Sequence, residues 1–460
     1  MLGPYMATML EPERKTWPVG PRGRPYFGHI GALHKDRLGF MSMLARDYGD
    51  FVPFRVRRKD AVFINDPALI EEMLFARAAD FSKNNLADFF HPALRRLLLF
   101  EESTSWLEQR RLAQPALRPD RLPAYATIMA DLAERLCDEW ADGEVVDVVA
   151  AMRRLTLDIM ARSLFDLDLA QIAVEAPAIF DAILEDVGAR AFSPIYLAFL
   201  PTGSNRRSRV RFQRAQRLVN ELIATRRRDL DGRDDLLSEL IRHRTPDGRL
   251  LTDDEIKLTL LPLSFAGHET TSMALSWALH LLAAHPDVQT RMRAELSSEV
   301  GGRRATAEDV SRLHLTGAVL HETLRLYPPI WGFGREAVRD TELGPYGIPA
   351  GTTLFACQWV LQRDPRYFDD PLAFNPDRWA GGLASRLPRC AFMPFGAGPR
   401  RCLGSTFAVL EAVIALATVC ARFELRPAGS SNPGLEPLIT LRAKDVHVQV
   451  ATARRPTGTS

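Results

Sequence analysis

Apolar residues recur at intervals of three and four through most of the chain, which is the period of one face of an α-helix. The helical stretches predicted from this pattern are residues 122–228 (several helices), 253–285, 314–327 and 407–423. The second stretch opens on the capping box Thr252 to Glu255 and stops before Pro286. At about 1.5 Å per residue it would be a helix roughly 50 Å long, enough to cross a whole domain.

The alternation that is typical of β-strands is confined to short segments. Residues 52–56 and 61–64 predict two strands near the start of the chain, and residues 435–450 predict a closing β-hairpin. The hydrophobic pattern therefore predicts a fold that is mainly α, with a minor β region.

Composition narrows the function classes. The chain has 460 residues, 46% of them hydrophobic, and a net charge of +2, so a nucleic acid is not expected as a partner. The arginine-rich stretch at 206–217 alternates with apolar residues and predicts a helix with one solvated basic face. The five cysteines are scattered and odd in number, which disfavours both a disulfide framework and a zinc site. No uncharged apolar run reaches transmembrane length, so we expect a cytoplasmic protein without a transmembrane anchor.

The stretch 395–404 carries the most specific chemistry. It places three glycines, one proline and two arginines around Cys402, directly before a helix. Glycines allow a tight turn, and backbone N–H groups at the start of a helix favour an anion. We therefore expect Cys402 to ionise easily, and a thiolate is a strong ligand for a soft metal.

This stretch resembles the haem-binding signature F-x-x-G-x-R-x-C-x-G of the cytochrome P-450 superfamily. The fixed positions that match are Phe395, Gly398, Arg400, Cys402 and Gly404. The resemblance implies the family's fold, with haem b held between a long central helix and the cysteine loop. It also implies that Cys402 is the axial ligand of the haem iron.

A second stretch, residues 266–271, resembles the family's oxygen-activation motif. Thr270 follows Ala266 by four residues, so its hydroxyl can bond the Ala266 carbonyl and open a groove in the helix. Gly267 would let the helix lie close over a flat macrocycle. The resemblance implies that Glu269 and Thr270 deliver protons to dioxygen. Pro262, one turn earlier, is expected to loosen the helix further.

Other residues also match positions of the family. Glu322 and Arg325 match the family's E-x-x-R and, with Arg378, are expected to form a buried structural network. The cofactor-binding residues implied by the resemblance are Cys402, Trp106, Arg110, Arg335, Arg400, Phe395, Gly396, Ala266 and Gly267. Among them Trp106, Arg110, Arg335 and Arg400 would hold the haem propionates, because a guanidinium suits a carboxylate.

The resemblance implies a monooxygenase that inserts one oxygen atom from O₂ by hydroxylation or epoxidation. The sequence ends too soon after Cys402 for a flavin domain, so electrons are expected from NAD(P)H through an external ferredoxin or flavodoxin and its reductase. We expect a monomer with a flexible segment at 1–16, the haem domain at 17–451 and a flexible tail at 452–460.

The substrate is left open. The candidate pocket residues are Trp331, Phe333, Phe89 and Phe90, which favour a fatty acid, a terpenoid or another apolar natural product. Two alternatives to a monooxygenase also stay open. One is a peroxide-using haem enzyme of the same fold, although such members tend to lack the acid–threonine pair. The other is a non-catalytic haem sensor or carrier.

Overall fold

The computed structural model describes residues 16–56, 58–83, 104–168, 202–430 and 433–453. The α-helices are α1 (Ile30–Lys35), α2 (Arg37–Tyr48), α3 (Pro67–Glu71), α4 (Thr104–Ala113), α5 (Leu122–Asp138), α6 (Val148–Phe165), α7 (Gly203–Arg228), α8 (Leu236–Arg242), α9 (Asp253–Ala284), α10 (Pro286–Glu299), α11 (His314–Leu326), α12 (Gln358–Leu361), α13 (Leu383–Arg386) and α14 (Ser405–Arg422). Most of the two segments expected to be flexible, 1–16 and 452–460, lies outside the described residues; only residues 16, 452 and 453 are described. The candidate pocket residues Phe89 and Phe90 also lie outside the described residues. Within the described part, the prediction of a mainly α-helical fold is confirmed.

The strands form small sheets. They are β1 (Phe51–Val56), β2 (Lys59–Ile64), β3 (Phe81–Ser82), β4 (Val145–Asp147), β5 (Phe333–Ala337), β6 (Thr341–Leu343), β7 (Tyr346–Ile348), β8 (Thr353–Ala356), β9 (Phe423–Ala428), β10 (Gly434–Pro437), β11 (Leu441–Lys444) and β12 (His447–Thr452). The largest sheet has the order β1-β2-β8-β5-β3. The predicted pair of early strands is confirmed, with β1 antiparallel to β2.

The predicted closing hairpin is only partly correct. β10 and β11 do pair with each other, but β12 pairs with β9 and β4 in a separate three-stranded sheet. Asp445, between β11 and β12, has a left-handed backbone with φ of 57°. The alternation in sequence is the same for both arrangements, because it records which face of a strand is buried and does not record the neighbouring strand.

The long helix α9 begins and ends where the sequence predicts. Thr252 and Glu255 form the capping box, and the helix runs for 32 residues to Ala284. It continues through Pro262, and most of its second half is buried. It packs against α6, α11 and α14 in the main hydrophobic core. A helix that is apolar on nearly all sides is stable only inside a large core, and α9 occupies that position.

Helix α14 follows the cysteine loop directly. By length and composition it is the one helix of the described chain that could cross a membrane. Its apolar residues, among them Ile414, Leu416 and Val419, are buried in the main core against α5 and α9. The helix therefore supports the back of the cysteine loop from within the protein.

The predicted network around Glu322 is present and fully paired. Arg325 donates to the Glu322 carboxylate at 2.8 and 2.9 Å, and Arg378 Nε donates to Oε1 at 2.8 Å. The Trp379 indole and the Asn375 backbone N–H complete the carboxylate's hydrogen bonds at 2.9 and 3.0 Å. Arg325 also donates to the carbonyl oxygens of Gln362, Pro371 and Ala373. A buried charge cluster contributes to stability only when each member is satisfied, and this one meets that condition.

Candidate active site

A cavity of about 1230 Å³ lies between the middle of α9 and the loop that carries Cys402. The predicted site residues that line it are Trp106, Arg110, Ala266, Gly267, Thr270, Arg335, Phe395, Gly396, Arg400 and Cys402. They come from α4, α9, β5 and the loop before α14. Of the predicted site residues, Glu269 is the one that does not line this cavity.

The cysteine loop is held in one shape by its glycines and by backbone hydrogen bonds. The Cys402 N–H donates to the Phe395 carbonyl at 2.9 Å, which closes the loop. Gly398 has φ of 71°, and a Cβ built on it would lie 2.2 Å from the Leu74 carbonyl oxygen. A side chain at this position would therefore clash with the π-helical turn Glu72–Ala76, which contains Leu74, and would also be strained.

Cys402 differs from the other cysteines in its exposure. It is exposed in the cavity, whereas Cys137, Cys357, Cys390 and Cys420 are buried. Burial raises the pKa of Cys137, Cys357 and Cys420 to about 12 and that of Cys390 to about 11. These four thiols are inert.

The expectation that Cys402 ionises easily is not met by the protein's own groups. Partial desolvation raises the pKa of its thiol, and this outweighs the Gly404 N–H and the charges of Arg110, Arg401 and Lys83, which lower it. A metal cation deprotonates a thiol that coordinates it. Ionisation of Cys402 would therefore depend on the bound metal.

Cationic side chains gather around an indole at another part of the cavity wall. The Arg400 guanidinium lies 3.9 Å from the centre of the Trp106 ring, and the Arg110 guanidinium lies 5.7 Å from it. Arg110 also donates to the Arg401 carbonyl at 3.0 Å. Arg335 is buried, over the ring of Phe333. The three guanidinium groups and the Trp106 indole all line the cavity, and their N–H groups suit carboxylates.

The predicted hydrogen bond in the middle of α9 is present. Thr270 Oγ1 donates to the Ala266 carbonyl at 2.7 Å, and both residues line the cavity. Among the described residues outside its own helix, a Cβ built on Gly267 would have only Met160 Cγ within 4 Å, at 3.9 Å. The described residues therefore leave room at Gly267.

Glu269 lies on a different face of α9, in a buried polar cluster. Its Oε1 accepts from Arg442 Nε at 2.7 Å and from Thr440 Oγ1 at 3.1 Å, while Arg153 Nη2 lies 3.3 Å from Oε2. Only 2% of the Glu269 side chain is exposed. The sequence analysis missed these three partners because they are 116 to 173 residues away along the chain and belong to no motif.

A second buried acid, Glu411 on α14, was also missed. Burial raises the pKa of its carboxyl well above the ordinary value, and a hydrogen bond from Thr271 opposes this only in part. Among the described residues its Oε1 has no hydrogen-bond partner. An acid at the centre of an otherwise apolar helical stretch was the available sequence signal.

We expect the free energy of unfolding to depend on the protonation of Glu411. Folding raises the pKa of Glu411. Below its ordinary pKa of about 4.3 the carboxyl is neutral in both the folded and the unfolded protein, and the free energy of unfolding has its full value. As the pH rises from there toward the folded pKa, the free energy of unfolding falls. Replacing Glu411 by glutamine removes this loss. Above about pH 5, the free energy of unfolding of the variant should therefore increase relative to that of the parent by about 1.4 kcal/mol per pH unit. Urea unfolding at several pH values measures the difference. A constant difference between parent and variant would contradict the assignment.

The donor set fits haem. No group of three or more His, Cys, Asp or Glu residues that could hold a metal ion exists in the described ranges, so a metal bound at Cys402 would have this one protein ligand. A metal bound here must bring most of its ligands with it, as an iron porphyrin does. The guanidinium groups near Trp106 suit the porphyrin's carboxylates. The fold and the site thus define the class of haem-thiolate proteins.

Comparison with known proteins agrees with this class. The family model Cytochrome P450 matches residues 18–450, and the chain belongs to this family. Membership implies a haem-iron cofactor and the activity of a monooxygenase, an oxidoreductase that uses O₂, a redox partner and hydrophobic substrates.

The chain is similar to bacterial relatives over nearly its whole length. Cyclooctat-9-en-7-ol 5-monooxygenase of Streptomyces melanosporofaciens is 34% identical over 90% of this chain and 91% of the relative. Cyclooctatin synthase of the same organism is 33% identical, with 95% and 96% covered. Pentalenene oxygenase of Streptomyces avermitilis is 32% identical, with 88% and 91% covered.

Proposed function

We propose that this monooxygenase hydroxylates or epoxidises an apolar terpenoid. The observation that carries the proposal is the wall of the cavity beside Thr270. It includes Met160 and Leu164 on α6, residues 329–333, and Leu438 and Ile439, all without charged side chains. Such a wall binds a hydrocarbon skeleton by burial and offers no partner to a charged group. The cationic lining residues Arg58, Lys59 and Lys83 lie instead at the ends of β2 and β3. The names of the similar Streptomyces proteins, which include a pentalenene oxygenase, favour a terpenoid over a fatty acid.

The cofactor in this proposal is haem b. Cys402 would be its axial ligand, and Trp106, Arg110, Arg335 and Arg400 would hold its propionates. Bound haem would supply the activation of dioxygen with electrons from NAD(P)H, delivered by a separate ferredoxin or flavodoxin and its reductase. The protein would act as a cytoplasmic monomer, with its haem domain at residues 17–451.

The roles of the two polar residues of α9 follow from where their side chains lie. The Thr270 hydroxyl faces the cavity, and it can pass a proton onward because an O–H group both donates and accepts. Neighbouring residues of a helix point to different faces, so the Glu269 carboxyl is outside the cavity. We propose that Glu269 supplies protons to Thr270 from this second position.

A ligand screen tests the proposed substrate class. Haem-loaded protein is titrated with terpenoids, fatty acids and sugars, and displacement of the sixth iron ligand is read from the spin-state change in absorbance. Terpenoid hydrocarbons and alcohols are expected to give the largest change. Carboxylate derivatives of the same skeletons are the matched control and should bind weakly. Saturating shifts from fatty acids or sugars, with none from terpenoids, would refute the proposal.

Replacing Thr270 by alanine should uncouple electron use from product. A positioned proton donor contributes about 10²-fold or more, and a water molecule can replace the hydroxyl in part, so we expect product per NAD(P)H to fall by about tenfold. Hydrogen peroxide should rise by the matching amount, while substrate affinity stays close to the parent's. Thr270→Ser, which keeps the hydroxyl, is the control and should retain most of the coupling. Unchanged product per NAD(P)H in Thr270→Ala would contradict the role of the hydroxyl.

A further inference from the structure

One side of α7 carries charge of a single sign. Residues 203–220 include six arginines and no Asp, Glu or Lys. Five of these arginines are exposed, and we call them the basic face of α7: Arg206, Arg207, Arg209, Arg214 and Arg217. Because the net charge of the whole chain is only +2, positive charge is concentrated on this face.

The basic face differs from other exposed arginines of the protein in its lack of acidic partners. Near the end of the same helix Arg227 binds Asp253 at 2.7 Å, and elsewhere Arg366 binds Asp50 at 2.6 Å. Among the described residues, in contrast, no ion pair or hydrogen bond is made by the side chains of four arginines of the face, which are Arg206, Arg207, Arg209 and Arg217. These four unpaired arginines are available to anionic groups of another molecule.

The basic face is held on a rigid support. Helix α7 is 26 residues long and begins after the cap Thr202, whose Oγ1 accepts from the Asn205 N–H at 3.2 Å. On the inner side of the helix, Ala215 is buried and packs against Phe265 of α9, the residue before the cavity-lining Ala266. The arginines are therefore fixed on a helix that packs against the central part of α9.

The basic face is short. Arg206 and Arg217 are eleven residues apart (217 minus 206), which is roughly 16 Å along a helix axis. Two exposed acids follow, Glu221 about one turn later and Asp229 beyond the end of the helix. An extended polyanion or a bilayer surface would meet these carboxylates as well as the arginines. A compact group of acidic side chains can contact the arginines alone.

The composition of the basic face suits carboxylates better than a bilayer. A helix that lies in a membrane surface buries large apolar residues such as Trp, Phe and Leu. Among the described residues of α7, Val210 is the one large apolar side chain that is exposed. Every cation of the face is an arginine, whose planar guanidinium pairs with a carboxylate through two hydrogen bonds and is favoured in ion pairs at protein interfaces.

We propose that the basic face of α7 is a docking surface for an acidic segment of a partner protein, whose Asp and Glu side chains pair with the four unpaired arginines. None of these four residues lines the cavity, so the inference depends neither on the substrate nor on the oxygenation chemistry. Pairs at such an exposed surface are screened by salt. They select an acidic partner and speed the encounter more than they tighten the complex.

A labelled, glutamate-rich helical peptide is the probe for the first test. Its binding to the haem-loaded protein is followed by fluorescence anisotropy, and the affinity should fall as the salt concentration rises. Replacing the four unpaired arginines by glutamine should lower the affinity at low salt by about tenfold or more, because several weak exposed pairs are lost together. Absence of peptide binding to the parent at low salt would overturn the inference.

A variant with the same loss of charge elsewhere on the surface is the control. It replaces four other exposed cations by glutamine, namely Arg22, Arg24, Lys35 and Arg386. This control should bind the peptide as the parent does. Equal affinities in the two variants would overturn the inference, because the peptide would then respond only to net charge.

Anionic phospholipid vesicles and duplex DNA are tested as competing partners under the same conditions. Both are expected to bind the parent more weakly than the peptide does. Tighter binding of either one, lost when the four unpaired arginines are replaced by glutamine, would overturn the choice of an acidic protein segment.

Reversing the charges gives an independent readout. With the four unpaired arginines replaced by glutamate, the protein should lose the glutamate-rich peptide and bind a lysine-rich peptide of the same length more tightly than the parent does. Circular dichroism and the spin-state titration should match those of the parent, which shows that the fold and the cavity are intact. A correctly folded variant that does not gain the lysine-rich peptide would contradict the pairing.

Discussion

Replacing Cys402 by histidine is expected to abolish the strongly red-shifted Soret band of the reduced, carbon-monoxide-bound protein. That band reports a thiolate on the haem iron, and Cys402 is the cysteine that faces the cavity. The other four thiols are buried, with pKa values raised to about 11 or 12, and cannot replace it. Monooxygenase activity should fall to the background of the haem-free protein, because the thiolate's electron donation is lost.

Cys420→Ala is the matched control for this change. Cys420 lies on α14, eighteen residues after Cys402, and is buried in the main core. The variant should keep the red-shifted band. A Cys402→His protein that still shows the band would mean that another residue ligates the iron.

Replacing Glu322 by alanine should have the largest effect on stability. The change would leave the guanidinium groups of Arg325 and Arg378 buried without their shared carboxylate. Removing one partner of a buried charged pair costs about 3–5 kcal/mol, which is a large part of the stability of a typical domain. Chemical denaturation of the haem-loaded variant, followed by circular dichroism, measures the loss.

Asp377, which directly precedes Arg378 in the sequence, provides the control for Glu322→Ala. Its carboxylate binds Arg291 at 2.9 Å, but both side chains are about half exposed. Exposed pairs contribute about 1 kcal/mol or less, so Asp377→Ala should have a small effect. Equal losses in the two variants would show that burial of the Glu322 network does not decide its contribution.

Local signals in the sequence predicted the elements that hold the site. The capping box at Thr252 predicted the start of α9, and the four-residue spacing of Ala266 and Thr270 predicted their hydrogen bond. The spacing of Glu322 and Arg325 predicted their pair. These predictions succeed because each depends on residues within one or two helical turns of one another.

Long-range packing could not be predicted in this way. The contacts of Glu269 with Arg442 and Thr440 join α9 to the beginning of β11, more than 170 residues later. The pairing of β12 with β4 and β9 likewise depends on which strands meet in the folded chain. The sequence predicted that Glu269 and Thr270 lie on the same helix. It did not indicate the partners that bind the Glu269 carboxylate outside the cavity.

The most direct test of the account is the origin of the oxygen atom in the product. The haem-loaded protein is supplied with NAD(P)H, a ferredoxin and its reductase, the terpenoid selected by the ligand screen, and dioxygen labelled with a heavy oxygen isotope. Mass spectrometry of the product is expected to show one labelled oxygen atom per molecule. The same reaction in labelled water with ordinary dioxygen should give an unlabelled product. A product whose oxygen comes from water, or no oxygenated product at all, would contradict the account.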